Sequence, residues 1–421
     1  MTRPTHVHIV GAGMAGLAAA VRLSATGIGI TLHEAAPHAG GRCRSYLDTT
    51  LGTRIDNGNH LLVAGNKSAM AYLDAIGARG TLTGETEARY AFLDVLSGER
   101  WNFRPNAGRV PWWLLLPSRR IPGVRLMDYF QGARLMRASE GEHVADLLLS
   151  GTTIYRRLWQ PLATAALNTE PEHGSAQLLA RVLAETFGAG GAACRPLVLR
   201  EGLSESLVDP ALAILAKRGV SVRFGRLLRA IDRSSHRIDI LHFEDGDEAI
   251  GADQAVVLAV PPPMASRLLP EISVPDEFRA ILNAHFLAAA PDASPPFVGL
   301  IGGTAEWVFR KREVLSVTVS AADRFMETPA AEMAPLLWRD VCAAYGMGDA
   351  SMPRWQIVKE RRATFAATPE QQRKRPPARL RWSNLVLAGD WIDTGLPATI
   401  EGAIRSGFVA AELLSTGAAS N

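Results

Sequence analysis

The stretch that decides the fold is Val7-His8-Ile9-Val10-Gly11-Ala12-Gly13-Met14-Ala15-Gly16, continued by Leu17-Ala18-Ala19-Ala20-Val21-Arg22-Leu23. Val7–Val10 reads as a buried strand and Leu17–Leu23 as a helix. The loop between them carries three patterned glycines. Gly11 allows the tight turn, Gly13 lets backbone approach a pyrophosphate, and Gly16 lets helix and strand pack closely. The helix start points unpaired N–H groups and a positive dipole end at the phosphates, with Ala12, Met14 and Ala15 completing the contact. A second strand, Gly29–His33, closes on Glu34, 18 residues past Gly16. There a carboxylate can accept from ribose hydroxyls, which favours an unphosphorylated 2′-OH: FAD or NAD rather than NADP.

Composition bounds the rest. At 421 residues the chain is long enough for two domains, and 47% apolar with 21% charged residues is a globular balance. A net charge of +3 demands no nucleic-acid partner. The three cysteines, Cys43, Cys194 and Cys342, are scattered and form no Cys-x-x-Cys pair. Neither a disulfide framework nor a metal site is expected, and a reducing cytoplasm fits. No targeting peptide is expected, and no run approaches the ~18 apolar residues of a membrane span.

Glu34-Ala35-Ala36-Pro37-His38-Ala39-Gly40-Gly41-Arg42 gives an acid, a spacer and then Gly-Gly-Arg. This resembles the signature of the FAD-dependent amine oxidase and phytoene desaturase superfamily. The resemblance implies FAD contacts at Glu34, Ala35, Gly41 and Arg42, the arginine neutralising the diphosphate, whose oxygens a guanidinium fork matches. It puts Asp56-Asn57-Gly58-Asn59-His60 against the isoalloxazine ring, with Gly58 giving close backbone approach and Asn59 and His60 beside it. A loop histidine satisfied by Asp56 is the plainer reading of His60. The resemblance also gives Leu228 to the adenine. Gly389 and Asp390 fall at a strand end, where the acid can meet the ribityl chain or the pyrophosphate. Ala398, Thr399 and Ile400 then offer N–H groups to the flavin O2/N1 edge.

The implied fold class is α/β: a glutathione-reductase-like Rossmann FAD-binding domain plus a discontinuous α+β substrate domain. The expected boundaries are 1–80, 205–264 and 376–421 for the first, and 81–204 and 265–375 for the second. The pattern predicts a hairpin over 92–103 turning at Ser97-Gly98, strands over 297–301, 307–309 and 315–319, and a helix over 330–346. No lysine matches the one that many amine oxidases place near flavin N5 on a middle-domain strand.

Val110-Pro111-Trp112-Trp113-Leu114-Leu115-Leu116-Pro117 lies between Arg109 and Arg119-Arg120. A segment of helical spacing, 124–138, follows with further arginines. Segment 109–137 is expected to touch a membrane surface peripherally, a buried core helix being the alternative. The basic stretch 359–381 reads as a solvated loop in preference to a lipid contact.

Trp159-Gln160-Pro161-Leu162, Ala166-Leu167-Asn168-Thr169-Glu170-Pro171 and Ala176–Leu183 sharpen the resemblance. Together they look like the hydroxysqualene dehydroxylases of hopanoid biosynthesis, nearly end to end. That likeness implies reductive dehydroxylation of hydroxysqualene to squalene by reduced FAD, an isoprenoid lipid substrate, and an electron donor that the sequence does not identify. The implied location is cytoplasmic, peripheral on the inner face of the cell membrane. The candidate general acids are His60, Asp56 and Asp393, in that order. The rivals are a carotenoid-type desaturase, an amine oxidase and a non-catalytic prenyl-lipid carrier on the same fold.

Overall fold

The computed structural model describes residues 3–311 and 313–416. Strand His6–Val10, helix Met14–Ser24 and strand Gly29–His33 form the β-α-β unit that the glycines dictate. Five strands pair in parallel in the order Ser221–Arg223, Gly29–His33, His6–Val10, Gln254–Leu258, Leu385–Leu387. Val7, Ile9, Leu32, Val257 and Leu387 are fully buried, as a parallel sheet covered on both faces requires. The last helix, Ile400–Ser415, lies so close to the first that a Cβ on Gly407 would come within 2.2 Å of the Ala15 carbonyl oxygen.

A meander of Leu228–Arg233, Ile238–Phe243 and Gly246–Ala249 covers part of this sheet, with Phe243 4.7 Å from the His33 ring. Beneath it runs a directed chain. Arg226 donates to His33 Nδ1 (3.2 Å), His33 Nε2 to His8 Nδ1 (3.3 Å), and His8 Nε2 to Gln254 Oε1 (3.3 Å). Arg226 has no lone pair, so both tautomers follow from its position. Burial first, then the neighbouring His8 and Arg226, pushes His33 down to about 3. His8 and His33, which lie with Glu248 close enough to share an ion, thus have their nitrogens engaged in this chain, and Glu248 is paired with Arg226 (2.9 Å) and Arg223 (3.2 Å).

The second sheet has seven strands: Trp355–Phe365, Phe278–Leu287, Val314–Val319, Trp307–Lys311, Phe297–Ile301, Tyr90–Asp94 and Arg100–Phe103. All neighbours are antiparallel except Phe297–Ile301 against Tyr90–Asp94. One face packs Leu282, Ala284, Phe286, Leu315 and Val317 against Leu337 and Trp338 of helix Ala330–Tyr345. The other face gathers Phe92, Trp101 and Phe103 with Trp113, Tyr129 and Trp159 from the preceding loops and helices. A small sheet of Leu61–Val63, Pro196–Leu199 and Leu82–Thr83 packs Leu62, Leu197 and Leu199 into the core beside the parallel sheet.

Two expectations need correction. Segment 124–138 is not one helix: Leu126–Gln131 forms 3₁₀ turns and Gly132–Leu135 a single α turn. Tertiary contacts override the helical spacing. The Tyr129 hydroxyl accepts from the Ile121 N–H (2.9 Å), and a Cβ on Gly132 would strike the Trp159 ring at 2.7 Å. The basic stretch 359–381 is not a loose solvated loop, because it contains most of a strand and the helix Pro369–Arg373. Its charges are paired: Arg361 with Glu327, Lys374 with Asp276, Arg381 with Glu271, and Lys359 with the carbonyls of Phe325, Met326 and Thr328.

Candidate flavin and substrate site

The site starts from backbone. Gly11 has φ +105°, and a Cβ there would meet the Ala259 carbonyl oxygen at 2.4 Å; on Gly16 it would overlap the Gly11 carbonyl oxygen at 1.9 Å. Only glycine folds at these two places. Gly13 differs, since a Cβ on it would face open space. It caps helix Met14–Ser24 without a side-chain bond, and the first turn holds no acid. The N–H groups of this turn therefore point outward without an intrahelical acceptor. Glu34 braces the loop, its carboxylate accepting from the Ala12 N–H (2.7 Å) and the Ala36 N–H (2.9 Å), while Ala35 is exposed beside it. The Gly40 N–H donates to the Ala12 carbonyl (2.8 Å), which lays Gly41 across Gly13. Arg42 reaches Asp390 at 2.6 Å, and the Gly389 N–H is held by Ser406 Oγ (2.8 Å). Thr399 caps the last helix by accepting from the Gly402 N–H (3.0 Å), with Ala398 and Ile400 on either side. Leu228 begins the meander two residues after Arg226, whose N–H donates to the Glu34 carbonyl (2.8 Å). An open glycine, an uncapped helix start, an arginine beside it and an acid at the next strand end fit the pyrophosphate and sugars of FAD.

The residues expected beside the ring form a second group. Asp56 is buried and accepts from Ser45 Oγ (2.6 Å), the Leu203 N–H (2.9 Å) and Lys311 Nζ. Burial opposes its charge, but Lys311 and the hydrogen bonds outweigh this and leave the carboxyl below its ordinary value. Burial, then the charges of Lys311 and Arg42 against Asp56, push His60 down to about 4. Near neutral pH Asp56 is thus an anion and His60 a neutral imidazole, and neither stores a proton for donation. Asp393 stands apart: it is exposed and accepts from the Gly395 N–H (3.3 Å). Asn59 is fixed from both ends, its side chain donating to the Val317 carbonyl (3.3 Å) and Thr318 Oγ1 (3.1 Å) and its backbone N–H to Asn283 Oδ1 (3.4 Å). A Cβ on Gly58 would press on Asn283 Nδ2 at 3.3 Å.

Lys311 corrects the expectation that no middle-domain lysine approaches the site. It ends strand Trp307–Lys311 and is engaged by Asp56. Glu306 was not foreseen. It lies just before the same strand and accepts from the Ser320 N–H (2.8 Å). Burial pushes its carboxyl up to about 7, so half of it is protonated near neutral pH. No local motif announces it, because its environment comes from strands distant in sequence.

Two further residues organise this region. Asn168 adopts φ +49°, a conformation its short polar side chain tolerates. It accepts from the Ala321 N–H (2.7 Å) and donates to Thr364 Oγ1 (2.9 Å), while Thr169 Oγ1 accepts from the Ala367 N–H (3.0 Å). The Leu167-Asn168-Thr169 block is thereby a clasp between helix Gln160–Leu167 and the substrate sheet. Arg375 is buried, donates to the carbonyls of Asp390, Trp391 and Ile392 and to Thr394 Oγ1, and lies 4.9 Å over the Phe365 ring. It rigidifies the loop that carries Asp390.

Comparison with known proteins agrees with this geometry. The profile of the family described as flavin containing amine oxidoreductase matches residues 14–415. A protein from Sinorhizobium fredii named hydroxysqualene dehydroxylase is 48% identical over 410 residues, 97% of this chain and 98% of the relative. One of the same name from Rhodopseudomonas palustris is 48% identical over 409 residues, again 97% and 98% of the two chains. Among solved structures, an oxidoreductase from Methanosarcina mazei superimposes with a TM-score of 0.72 at 13% identity, covering 97% of this chain and 100% of that one.

Proposed function

Since the chain belongs to the flavin-containing amine oxidoreductases, and within them to the hydroxysqualene dehydroxylases, we infer that it is an FAD-dependent oxidoreductase converting hydroxysqualene to squalene for hopanoid synthesis. The single observation that carries this reading is the junction at Asn59. There the FAD-side segment is tied to Thr318, on the sheet whose aromatic face offers Phe92, Trp101 and Trp307. We assign residues 1–80, 205–264 and 376–421 to FAD binding and 81–204 and 265–375 to substrate. FAD is held by Gly11–Gly16, Glu34, Ala35, Gly41, Arg42, Gly58–His60, Leu228, Gly389, Asp390 and Ala398–Ile400.

Bound and reduced, FAD supplies the hydride that replaces the hydroxyl. The chain's residues must do the rest. Breaking the allylic C–O bond needs a proton for the departing oxygen, which leaves as water. Glu306, half-buried just before Trp307 and raised to about 7, has a proton to give near neutral pH, and we assign it this task ahead of His60, Asp56 and Asp393. The electron-deficient carbon that remains needs dry walls and a negative ring face, which half-buried Trp307 supplies; behind it Trp101 is already engaged, stacked on Phe92 and covered by the Arg157 guanidinium (4.9 Å). Lys311 and Asp56 keep the 56–60 segment in place, while burial and the Lys311 charge keep His60 neutral. A prenyl-lipid carrier would need neither the open face of Gly13 nor Arg42 beside Asp390. A separate electron donor reduces FAD between turnovers. No helix among the described residues is long and apolar enough to cross a membrane. We place the protein peripherally, at the cytoplasmic face of the cell membrane, on the exposed apolar and arginine-rich side chains of segment 109–137.

An anaerobic single turnover tests the reaction. The flavin is reduced with dithionite, hydroxysqualene is added in detergent, and absorbance near ~450 nm is followed while lipid is extracted. Oxidised flavin should return with stoichiometric squalene. Flavin that stays reduced over unchanged substrate would sink the assignment and favour the desaturase.

A further inference from the structure

Fourteen large apolar side chains are conspicuously exposed among the described residues, and eight of them fall within forty residues: Val110, Trp112, Leu115, Leu116, Met127, Phe130, Met136 and Leu149. Leu115 is 66% and Met127 71% exposed. This is not loose chain. Asn106 Nδ2 donates to the carbonyls of Gly108 and Val110 (3.1 and 3.0 Å), and its Oδ1 accepts from the Trp113 N–H (3.3 Å). Trp113 is driven inward, edge-on to Phe103 (5.3 Å) and Tyr129 (5.4 Å). Its neighbour Trp112 is left outside under the Arg119 guanidinium (5.1 Å). A pinned backbone therefore displays apolar tips, and the aromatic cluster behind them is continuous with the substrate face of the seven-stranded sheet.

The charges show what covers the patch. Residues 109–138 contain six arginines and one acid, Asp128, while the acids Glu140, Glu142 and Asp146 lie beyond them, toward Leu149. Arg109, Arg125, Arg134 and Arg137 are exposed. A second copy of the chain on a two-fold axis would set arginines against arginines. An anionic bilayer meets both demands, since acyl chains accept the tips and headgroups the guanidinium rim.

We propose that residues 109–149 are a docking surface for an anionic lipid bilayer, with Leu115, Met127 and Phe130 entering the acyl region and Arg134 and Arg137 holding headgroups. The surface extends the expected segment 109–137 to Leu149. It rests on the reading above in one respect: a C30 lipid substrate is delivered from the bilayer.

Vesicle sedimentation of the FAD-loaded protein needs no substrate, so its outcome is separable from the turnover assay. Wild type should pellet with phosphatidylcholine vesicles containing phosphatidylglycerol. The triple variant Leu115→Ser, Met127→Ser, Phe130→Ser should lose at least ~10-fold in partition, with its melting temperature unchanged. Each of Arg134→Gln and Arg137→Gln should weaken binding about fivefold, an effect absent on pure phosphatidylcholine. A triple variant that pellets like wild type, or a wild type that stays in the supernatant, would overturn the proposal. So would a wild-type dimer in sedimentation velocity that the triple variant abolishes without vesicle binding, which would give the patch to a second copy.

Discussion

The two faces of the seven-stranded sheet are built from the same strands but made differently. Toward helix Ala330–Tyr345 it is aliphatic and closed, with Leu282, Ala284, Leu315 and Val317 at essentially zero exposure and Phe286 5.1 Å from Trp338. Toward the cofactor loops it is aromatic, and polar groups are left without partners there: the indole N–H groups of Trp101 and Trp159 are buried and unbonded. Buried donors are normally satisfied, so leaving two unmet is a standing cost. One face holds the fold, and the other keeps rings facing a guest.

The largest test of that contrast is Phe286→Ala. It should cost about 3–5 kcal/mol of unfolding free energy, measured by urea denaturation, with little change in turnover by the molecules that remain folded. Equal losses in both would erase the distinction. Glu306→Gln should do the reverse, lowering turnover at least ~100-fold while the protein stays folded. Its pH dependence carries a sign. Because burial raises the folded carboxyl to about 7, wild-type stability is greatest when Glu306 is protonated and falls as pH rises from the ordinary carboxyl range through about 7. Glu306→Gln should flatten that fall, and the wild-type rate should drop above about pH 7. Trp307→Leu, half-buried among Phe92 and Phe297, should cost about 1 kcal/mol in stability but about tenfold in turnover. Smallest is His60→Gln. A histidine already neutral above about pH 4 should leave the pH profile between 5 and 8 unshifted when replaced, and turnover within about threefold.

How much was legible in the sequence divides along the same line. The nucleotide half speaks through backbone constraints, and these are local: Gly11 and Gly16 leave no room for a Cβ, and Glu34 follows at a fixed distance along the chain. The hairpin at Ser97-Gly98 and the helix Ala330–Tyr345 were readable for the same reason, since turn chemistry and period are local. The substrate half speaks through pairings between distant strands. Lys311 meets Asp56 across 255 residues, and nothing near either residue forecasts it. Asp56 looked like an acid until its donors were known, and Arg375 looked like one charge in a basic run until it proved buried under the Asp390 loop. Trp112 and Trp113 are indistinguishable in sequence; the Asn106 clasp decides which is inside.

The five-stranded parallel sheet carries one consequence for how the protein comes into being. Its central strand His6–Val10 is made long before its edge strand Leu385–Leu387, the anchoring Asp390 and the helix that locks against Ala15, which follow more than 370 residues later in the chain. While that interval is synthesised, the nascent chain carries the glycine turn without the partner that closes it. Contacts this far apart in sequence form late and slowly. Closure of the fold and capture of FAD therefore await strand Leu385–Leu387 and helix Ile400–Ser415, and deletion of that helix should give a flavin-free protein rather than a weakened enzyme.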